Sequence, residues 1–439
     1  MDSMQWLALV VFAVTILVVI TNWIDGALAA LIGVAVMVWV GVMSEIEAFN
    51  YVDWNVMAIL ISIWIIAHYF GRSGVPSWLS VQAMTLSGGR PGFLVMILAF
   101  LAGIISMFVD NVVTILMMVP VALPLARALK IPATPLVLMI GFAANFMGTA
   151  LLLGDLPPQM LHSVSGVEFG GFIWQFGRPS SFPILVVTFI ITLAAMYAYG
   201  FRGLARVSLK DTGVEAKIEN PLFASVVVGW FLLTVFAMSI REVLNVKLGF
   251  IAMTGAITLV LLLELLGERV KKEAGEFEEA VQGLEWKAIF FYVALFALVG
   301  GLEKTKIIEQ LAHAITPLFS ENYALGATLF YWITVPIVGL VEHDAYILTF
   351  LYAIRDLKDS AGVEPWPLWW MLVWAGTLGS NLTIAGAPAL YVALTICEKE
   401  EDRKVSLREF LSWSIPFTLV ATFVCYVLGM LIWVLPYAK

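Results

Sequence analysis

Apolar runs close to the ~20 residues that carry a helix across a bilayer recur along the whole chain, and few folds can hold them. In hydrocarbon every peptide N–H and C=O must be bonded internally, so a spanning segment is a helix or part of a closed barrel. Ten segments have the helical length or nearly so: 5–22, 26–43, 54–70, 134–154, 182–201, 221–240, 248–266, 286–302, 366–396 and 413–436. Composition agrees, with 61% hydrophobic and 13% charged residues against about 25% charged in a soluble domain. A water-soluble fold is excluded, and an all-α membrane protein of about ten transmembrane helices is expected. The 24 Lys and Arg against 32 Asp and Glu give a net charge of -8, and the basic residues are scattered through short loops. Nucleic acid is therefore not an expected partner; the lipid bilayer is. Two cysteines, Cys397 and Cys425, are too few for a disulfide framework or a Cys-rich metal site.

The first run follows Met1-Asp2-Ser3-Met4-Gln5, with no basic n-region and no small-residue cleavage pattern, and reads as a retained transmembrane helix. Two further stretches, 93–126 and 325–353, are too long for one plain helix and carry acids in their middles. Both read as re-entrant hairpins. Loop charge supports this, because cytoplasmic loops are enriched in Lys and Arg. With the linker 202–220 cytoplasmic and both hairpins re-entrant, 16 basic residues fall inside and 8 outside. Both termini then lie outside.

The most informative feature is an internal repeat. Asp53-Trp54 stands to Glu285-Trp286 at the same sequence offset as Asp110-Asn111 to Glu342-His343, and Asn145 finds a counterpart in Asn381 at nearly that offset. Each half reads as five spans with a re-entrant hairpin and an interrupted helix. Five is odd, so the second copy should lie upside down relative to the first, the plan of secondary transporters whose site sits between the halves. The expected organisation is a first inverted repeat over 1–201, the linker 202–220 and a second repeat over 221–439.

The interrupted helices hold Gly154-Asp155-Leu156-Pro157-Pro158 and Gly386-Ala387-Pro388 where an unbroken helix would want neither Gly nor Pro. Such breaks expose amide donors at one half-helix and carbonyl acceptors at the other; the alternative is a pair of Pro kinks serving helix packing. Asp110 lies far along the apolar run that begins at Phe93 and should sit deep. A central carboxylate costs ~3 kcal/mol on insertion scales and is functional by default, though it can also serve simply as the cap of the following helix. The second tip, Glu342-His343-Asp344, combines two carboxylates with an imidazole, a set suited to proton coupling or to a cation that competes with protons. Its alternative is the lining of a wet vestibule. The other histidines, His68, His162 and His313, fall at unrelated levels, so no metal site is expected. Trp6, Trp23, Trp366, Trp369, Trp370, Trp433 and Tyr437 lie near span ends and read as an interfacial belt. No HExxH, GxSxG or P-loop occurs, so neither an intramembrane hydrolase nor an ATP-driven pump is expected.

Val52-Asp53-Trp54-Asn55, Phe108-Val109-Asp110-Asn111-Val112-Val113-Thr114, Gly148-Thr149 with Gly154-Asp155-Leu156-Pro157-Pro158, and Leu378-Gly379-Ser380-Asn381-Leu382-Thr383 resemble the ArsB/NhaD group of the ion transporter superfamily over essentially the whole chain. The resemblance implies a scaffold of the first three helices of each half, a transport unit of hairpins and broken helices that moves elevator-fashion, and a homodimer. It carries no information on a soluble ATPase partner. Related dicarboxylate carriers have Ser-Asn-Thr at the hairpin tips; here a dianion would meet Asp110, Glu342 and Asp344, which argues against dicarboxylates.

The resulting expectation is a proton- or cation-coupled exporter in a prokaryotic plasma membrane, with arsenite or antimonite as cargo and sodium/proton antiport as the alternative. Neutral arsenic trihydroxide would be held by Asn111, Thr114, Asn145, Thr149, Asn381 and Thr383, because Cys397 and Cys425 form no thiolate cage. Asp110, Asp155, Glu342, His343 and Asp344 would couple transport to H+ or Na+, with no other cofactor. A passive channel would need a continuous polar stripe and no inverted repeat.

Overall fold

A computed structural model describes residues 2–21, 23–206, 217–340, 343–384 and 386–438. The middle of the expected linker, 207–216, and the tip residues Val341 and Glu342 lie outside the described residues, as does Ala385 in the second break. Among the described residues the fold is all-α apart from a two-stranded ribbon pairing Trp174–Gln175 with Arg178–Pro179.

In the first half the main helices are α1 (Ser3–Thr21), α2 (Gly26–Trp39), α3 (Trp54–Arg72), α4 (Val75–Leu86), α5 (Pro91–Ser106), α6 (Asn111–Ala128), α7 (Ala133–Met147), α8 (Leu156–Ser165) and α9 (Ser181–Met196). The second half repeats the order as α10 (Pro221–Ser239), α11 (Leu248–Leu266), α12 (Trp286–Lys304), α13 (Ile307–Ser320), α14 (Tyr323–Val338), α15 (His343–Ala361), α16 (Pro365–Ser380), α17 (Pro388–Glu401) and α18 (Leu407–Gly429). Among the described residues, seven helical stretches are long and apolar enough to cross a membrane, and α1, α2, α5, α7 and α14 are shorter apolar helices.

The helices from α3 to α8 begin at 54, 75, 91, 111, 133 and 156, and those from α12 to α17 at 286, 307, 323, 343, 365 and 388, so all six starts are related by one constant offset. Side chains keep the same register. The Trp54 indole donates to the Phe49 carbonyl at 3.1 Å, and Trp286 to Val281 at 3.0 Å. Glu47, in a short helix before α3, pairs with Lys304, and Glu279, in the equivalent short helix before α12, pairs with Arg72. Bonding to Lys304 and to Ser44 holds the Glu47 carboxyl down at about 2. That pair is therefore complete above the ordinary carboxylate range and is lost only as the pH falls toward 2. At this register Asn145 corresponds to Thr377 and Asn381 to Thr149, one helical turn away from the Asn145–Asn381 correspondence expected from the sequence.

The halves interlock. α3 packs on α11 while α12 packs on α2, and α8 packs on α15 and α16 while α17 packs on α6 and α7. α7 and α16 are buried almost throughout their length and form the centre, as expected of helices apolar on every face.

Three further expectations change. The segment 134–154 is helical only to Met147; Gly148 and Gly154 lower the cost of leaving the helix, and Pro157 and Pro158 fit the first turn of the helix that restarts at Leu156. α4 and α13 are additional helices, whose polar residues, Ser77, Ser80 and Gln82 in one and Glu309, Gln310 and His313 in the other, interrupt any apolar run. Trp369, Trp370 and Trp433 leave the interfacial belt for the core, where Trp370 stacks on Trp374 at 5.8 Å and Trp433 donates to the Pro179 carbonyl at 2.9 Å. Trp6 and Trp23 are exposed.

The two breaks are closed in the same way. A Cβ on Gly154 would strike the Ser106 and Gly148 carbonyl oxygens, and one on Gly386 those of Val338 and Ser380, their repeat counterparts. Backbone cannot yield as a side-chain end does. Gly154→Ala and Gly386→Ala should each cost about 1–3 kcal/mol by overpacking, seen as a lower melting temperature in detergent. Gly229→Ala, which meets open space, should melt like the wild type.

Candidate translocation site

α5 and α6 meet at Met107-Phe108-Val109-Asp110, and Asp110 accepts from the Val112 and Val113 amides at 2.9 and 3.3 Å. It is thus the N-cap of α6, as the structural alternative for this residue requires. The cap leaves Asp110 on the wall of a cavity of about 290 Å³, which is also lined by Asp344 from the second tip. Asp110 is 4% exposed and Asp344 3%. The cavity continues past Trp64, Phe291 and Tyr292 to Glu285 and to an exposed ion pair, Asp25 with Lys287 at 2.8 Å. Bonding to the Lys287 ammonium holds the Asp25 carboxyl below its ordinary range. Among the described residues, four carboxylates and one ammonium face this space.

Behind the tips a buried chain of amides joins both breaks. The Asn111 amide donates to Asn145 Oδ1 and Asp155 Oδ2, both at 3.0 Å. The Asn145 amide donates onward to Ser380 Oγ at 2.9 Å, Asn381 Oδ1 at 3.1 Å and the Thr377 carbonyl at 3.3 Å. Asp155 caps α8 through the Leu156 amide at 2.9 Å. Thr149 Oγ1 bonds Thr377 Oγ1 at 2.7 Å. In the second half His343 Nδ1 lies 2.9 Å from the Gly386 carbonyl and its Nε2 3.4 Å from Asp344 Oδ1, while Thr383 donates to the Gly339 carbonyl. Thr114 only closes its own tip on the Val109 carbonyl at 3.3 Å.

The structure therefore gathers Asn111, Asn145, Asp155 and Asn381 into one network, with Thr149 beside it, and sets Asp110 and Asp344 together on the cavity. Thr114 stays apart from the network, and Glu342 lies outside the described residues. The Asn381 amide nitrogen is buried with no hydrogen-bond partner among the described residues. Sequence reasoning missed Ser380 and Thr377 as partners and Asp25 and Lys287 as cavity residues. Ser380 stood inside a quoted motif, whereas nothing near Asp25 or Lys287 distinguishes them from ordinary loop charges. Cys397 and Cys425 are buried, free thiols away from the cavity wall.

Replacing Asn145 with Leu would strand partners on both broken segments, and each buried unsatisfied group costs about 1–3 kcal/mol. Asn145→Leu is expected to lower the melting temperature of the purified protein clearly; an unchanged melt would show that the amide chain contributes nothing to holding the breaks together.

Solved transporters share this fold. MtrF of Neisseria gonorrhoeae, described as one of a class of antimetabolite efflux pumps, superposes with a TM-score of 0.59 at 11% identity, covering 99% of this chain and 96% of that one. The YdaH transporter of Alcanivorax borkumensis gives 0.58 at 12% identity, covering 98% of each. Among sequences, a 46 kDa membrane protein of Mycobacterium leprae is 27% identical over 95% of this chain and 96% of its own length. The human P protein is 23% identical over 95% of this chain and 58% of its own. The model of the CitMHS family, described as citrate transporter, matches residues 16–375. This chain belongs to the CitMHS family of membrane transporters.

Proposed function

We propose that the chain is a proton- or cation-coupled secondary active transporter of the elevator type, and that its two halves are inverted repeats. One observation carries the reading: Asp110 and Asp344, from the tips of corresponding helix pairs in the two halves, share one cavity in front of the breaks. Two buried carboxylates on the wall of one cavity are a place where a proton or a cation can bind, and ionisable groups at such depth are functional by default. Asp110, His343 and Asp344, with Glu342 and Asp155, form the coupling set; Asn111, Asn145, Thr149, Asn381 and Thr383 bind cargo. The coupling ion is H+ or Na+. The basic-residue bias favours the linker and the cavity mouth on the cytoplasmic side of a plasma membrane with both termini outside, and the family resemblance implies a homodimer.

For cargo, arsenite or antimonite leads, because a neutral trihydroxide enters an acid-lined cavity without charge repulsion, and amides and hydroxyls able to hold it lie buried behind the tips. The residue motifs shared with the ArsB/NhaD group support this export, and they support sodium/proton antiport as the alternative. A second reading follows from the family description. A carboxylate cargo such as citrate would have to enter neutralised by a bound cation, since among the described residues the cavity wall carries four carboxylates and a single ammonium, Lys287.

Vesicles under an imposed pH gradient, offered arsenite, sodium, citrate with and without a divalent cation, and succinate, decide among these cargoes. Coupled arsenite flux is the expected result, and flux of succinate alone removes the arsenite, sodium and citrate readings together. Asp110→Asn keeps an oxygen to cap α6, so the protein should fold while gradient-driven flux falls at least tenfold. Wild-type flux from that variant would reduce Asp110 to a helix cap.

A further inference from the structure

The contacts inside the outer helices are duplicated at the two ends of the molecule, but those between these helices and the second halves of the broken helices are not. Glu47–Lys304 and Glu279–Arg72 are repeat-related, as are the Trp54 and Trp286 indole bonds. Asp53, in contrast, uses one carboxylate oxygen to cap α3 through the Asn55 and Val56 amides, at 2.9 and 3.0 Å, and the other to accept a hydrogen bond from the Ser163 hydroxyl on α8. The repeat offset carries Asp53 to Glu285 and Ser163 to Thr395, and these two do not meet. Glu285 lines the open cavity, provides no side-chain cap for α12, and makes no side-chain hydrogen bond or ion pair among the described residues. The exposed Thr395 hydroxyl turns back onto its own helix, bonding the Tyr391 carbonyl at 2.8 Å.

We propose that Asp53–Ser163 and Glu285–Thr395 are alternative latches: the first shuts one end of the molecule in the state seen here, and the second forms when the cavity closes. The chemistry of each latch is a hydroxyl donating to a carboxylate. Glu285 is one methylene longer than Asp53, which frees it from capping and extends its reach toward α17. The shut end also carries Arg355–Glu303 at 2.8 Å between α15 and α12, but the related positions at the open end are Leu123 and Gly71. No ion pair can form there, so the hydroxyl–carboxylate contact is the one that both ends can make. This inference rests on the carrier reading for its purpose, not for its test.

Ala288 lines the cavity, so Ala288→Cys reports its openness through labelling by a membrane-impermeant maleimide. In a Cys397→Ala/Cys425→Ala background without the Ala288→Cys reporter, two cysteine pairs are compared, Asp53→Cys/Ser163→Cys and Glu285→Cys/Thr395→Cys, each treated with a short bismaleimide. Both pairs should cross-link, and with all four cysteines present each molecule should carry one cross-link or the other. Failure of the 285–395 pair to cross-link, or molecules that carry both cross-links, overturns the proposal. Because Asp53→Cys removes a helix cap, Ser163→Ala and Thr395→Val provide a second arm that spares it. Ser163→Ala should slow labelling at least threefold and Thr395→Val should not; equal rates overturn the proposal too. Labelling needs no cargo, so the expected pattern in a protein that moves no tested solute would sink the transport reading and leave the latches standing.

Discussion

A peptide group at membrane depth has no water to bond, and the architecture answers that constraint at two places, 148–155 and 381–387. Leaving the helix there frees several amides and carbonyls, each costing a few kcal/mol if stranded. The protein meets this cost with glycines small enough to let strands of backbone touch, Gly154 against Ser106 and Gly386 against Val338. The amide side chains of Asn111 and Asn145 tie one break to the other. Each glycine closes its break within its own half, while the helix that follows packs on the other half, α8 on α15 and α16 and α17 on α6 and α7. The breaks thus tie the two repeats together, and the cavity lies in front of them at the tips.

Most of the fold was legible because bilayer physics writes it in long apolar runs, and the repeat offset was visible from four polar positions, Asp53 with Glu285 and Asp110 with Glu342. What escaped had identifiable reasons. α4 and α13 bury one face against their neighbours and never need to span. Trp370 and Trp433 lie at sequence positions where an aromatic belt is usual, and only the packing of α16 against the last helix and the ribbon shows them to be core. The register slip at Asn145 came from matching residue type: Asn381 is its hydrogen-bond partner, not its repeat mate, so chemical likeness pointed to contact instead of symmetry.

For the site, sequence identified residues that must be deep, because a polar side chain in an apolar run has nowhere else to be. It could not tell a wall from a foundation. Asn145 spends its amide on three partners and acts as a tie, whereas Asp110 satisfies two amides and still faces the cavity. That division depends on side-chain direction at a helix start. Lys287 is the converse case, a loop charge by composition that geometry sets at the cavity mouth.

The weakness of the contacts that distinguish the two ends is itself informative. A carrier must populate two arrangements that differ by only a few kcal/mol, or one state is never visited. A fully buried ion pair at one end would cost about 3–5 kcal/mol to break, enough to trap the molecule. Here Arg355 and Glu303 are each about one-third exposed, at 33% and 30% of their side chains, and such surface pairs contribute ~0–1 kcal/mol. A hydroxyl donating to a carboxylate contributes about 1.5–3 kcal/mol, and one of similar chemistry is available at the other end. The strong ties, Asn145 to Asn381 and the glycine contacts at the breaks, lie within the central bundle, where the proposed elevator movement against α3 and α12 would leave them closed. Interaction strength is therefore distributed as the proposed movement would require, firm within the central bundle and modest where it meets the outer helices.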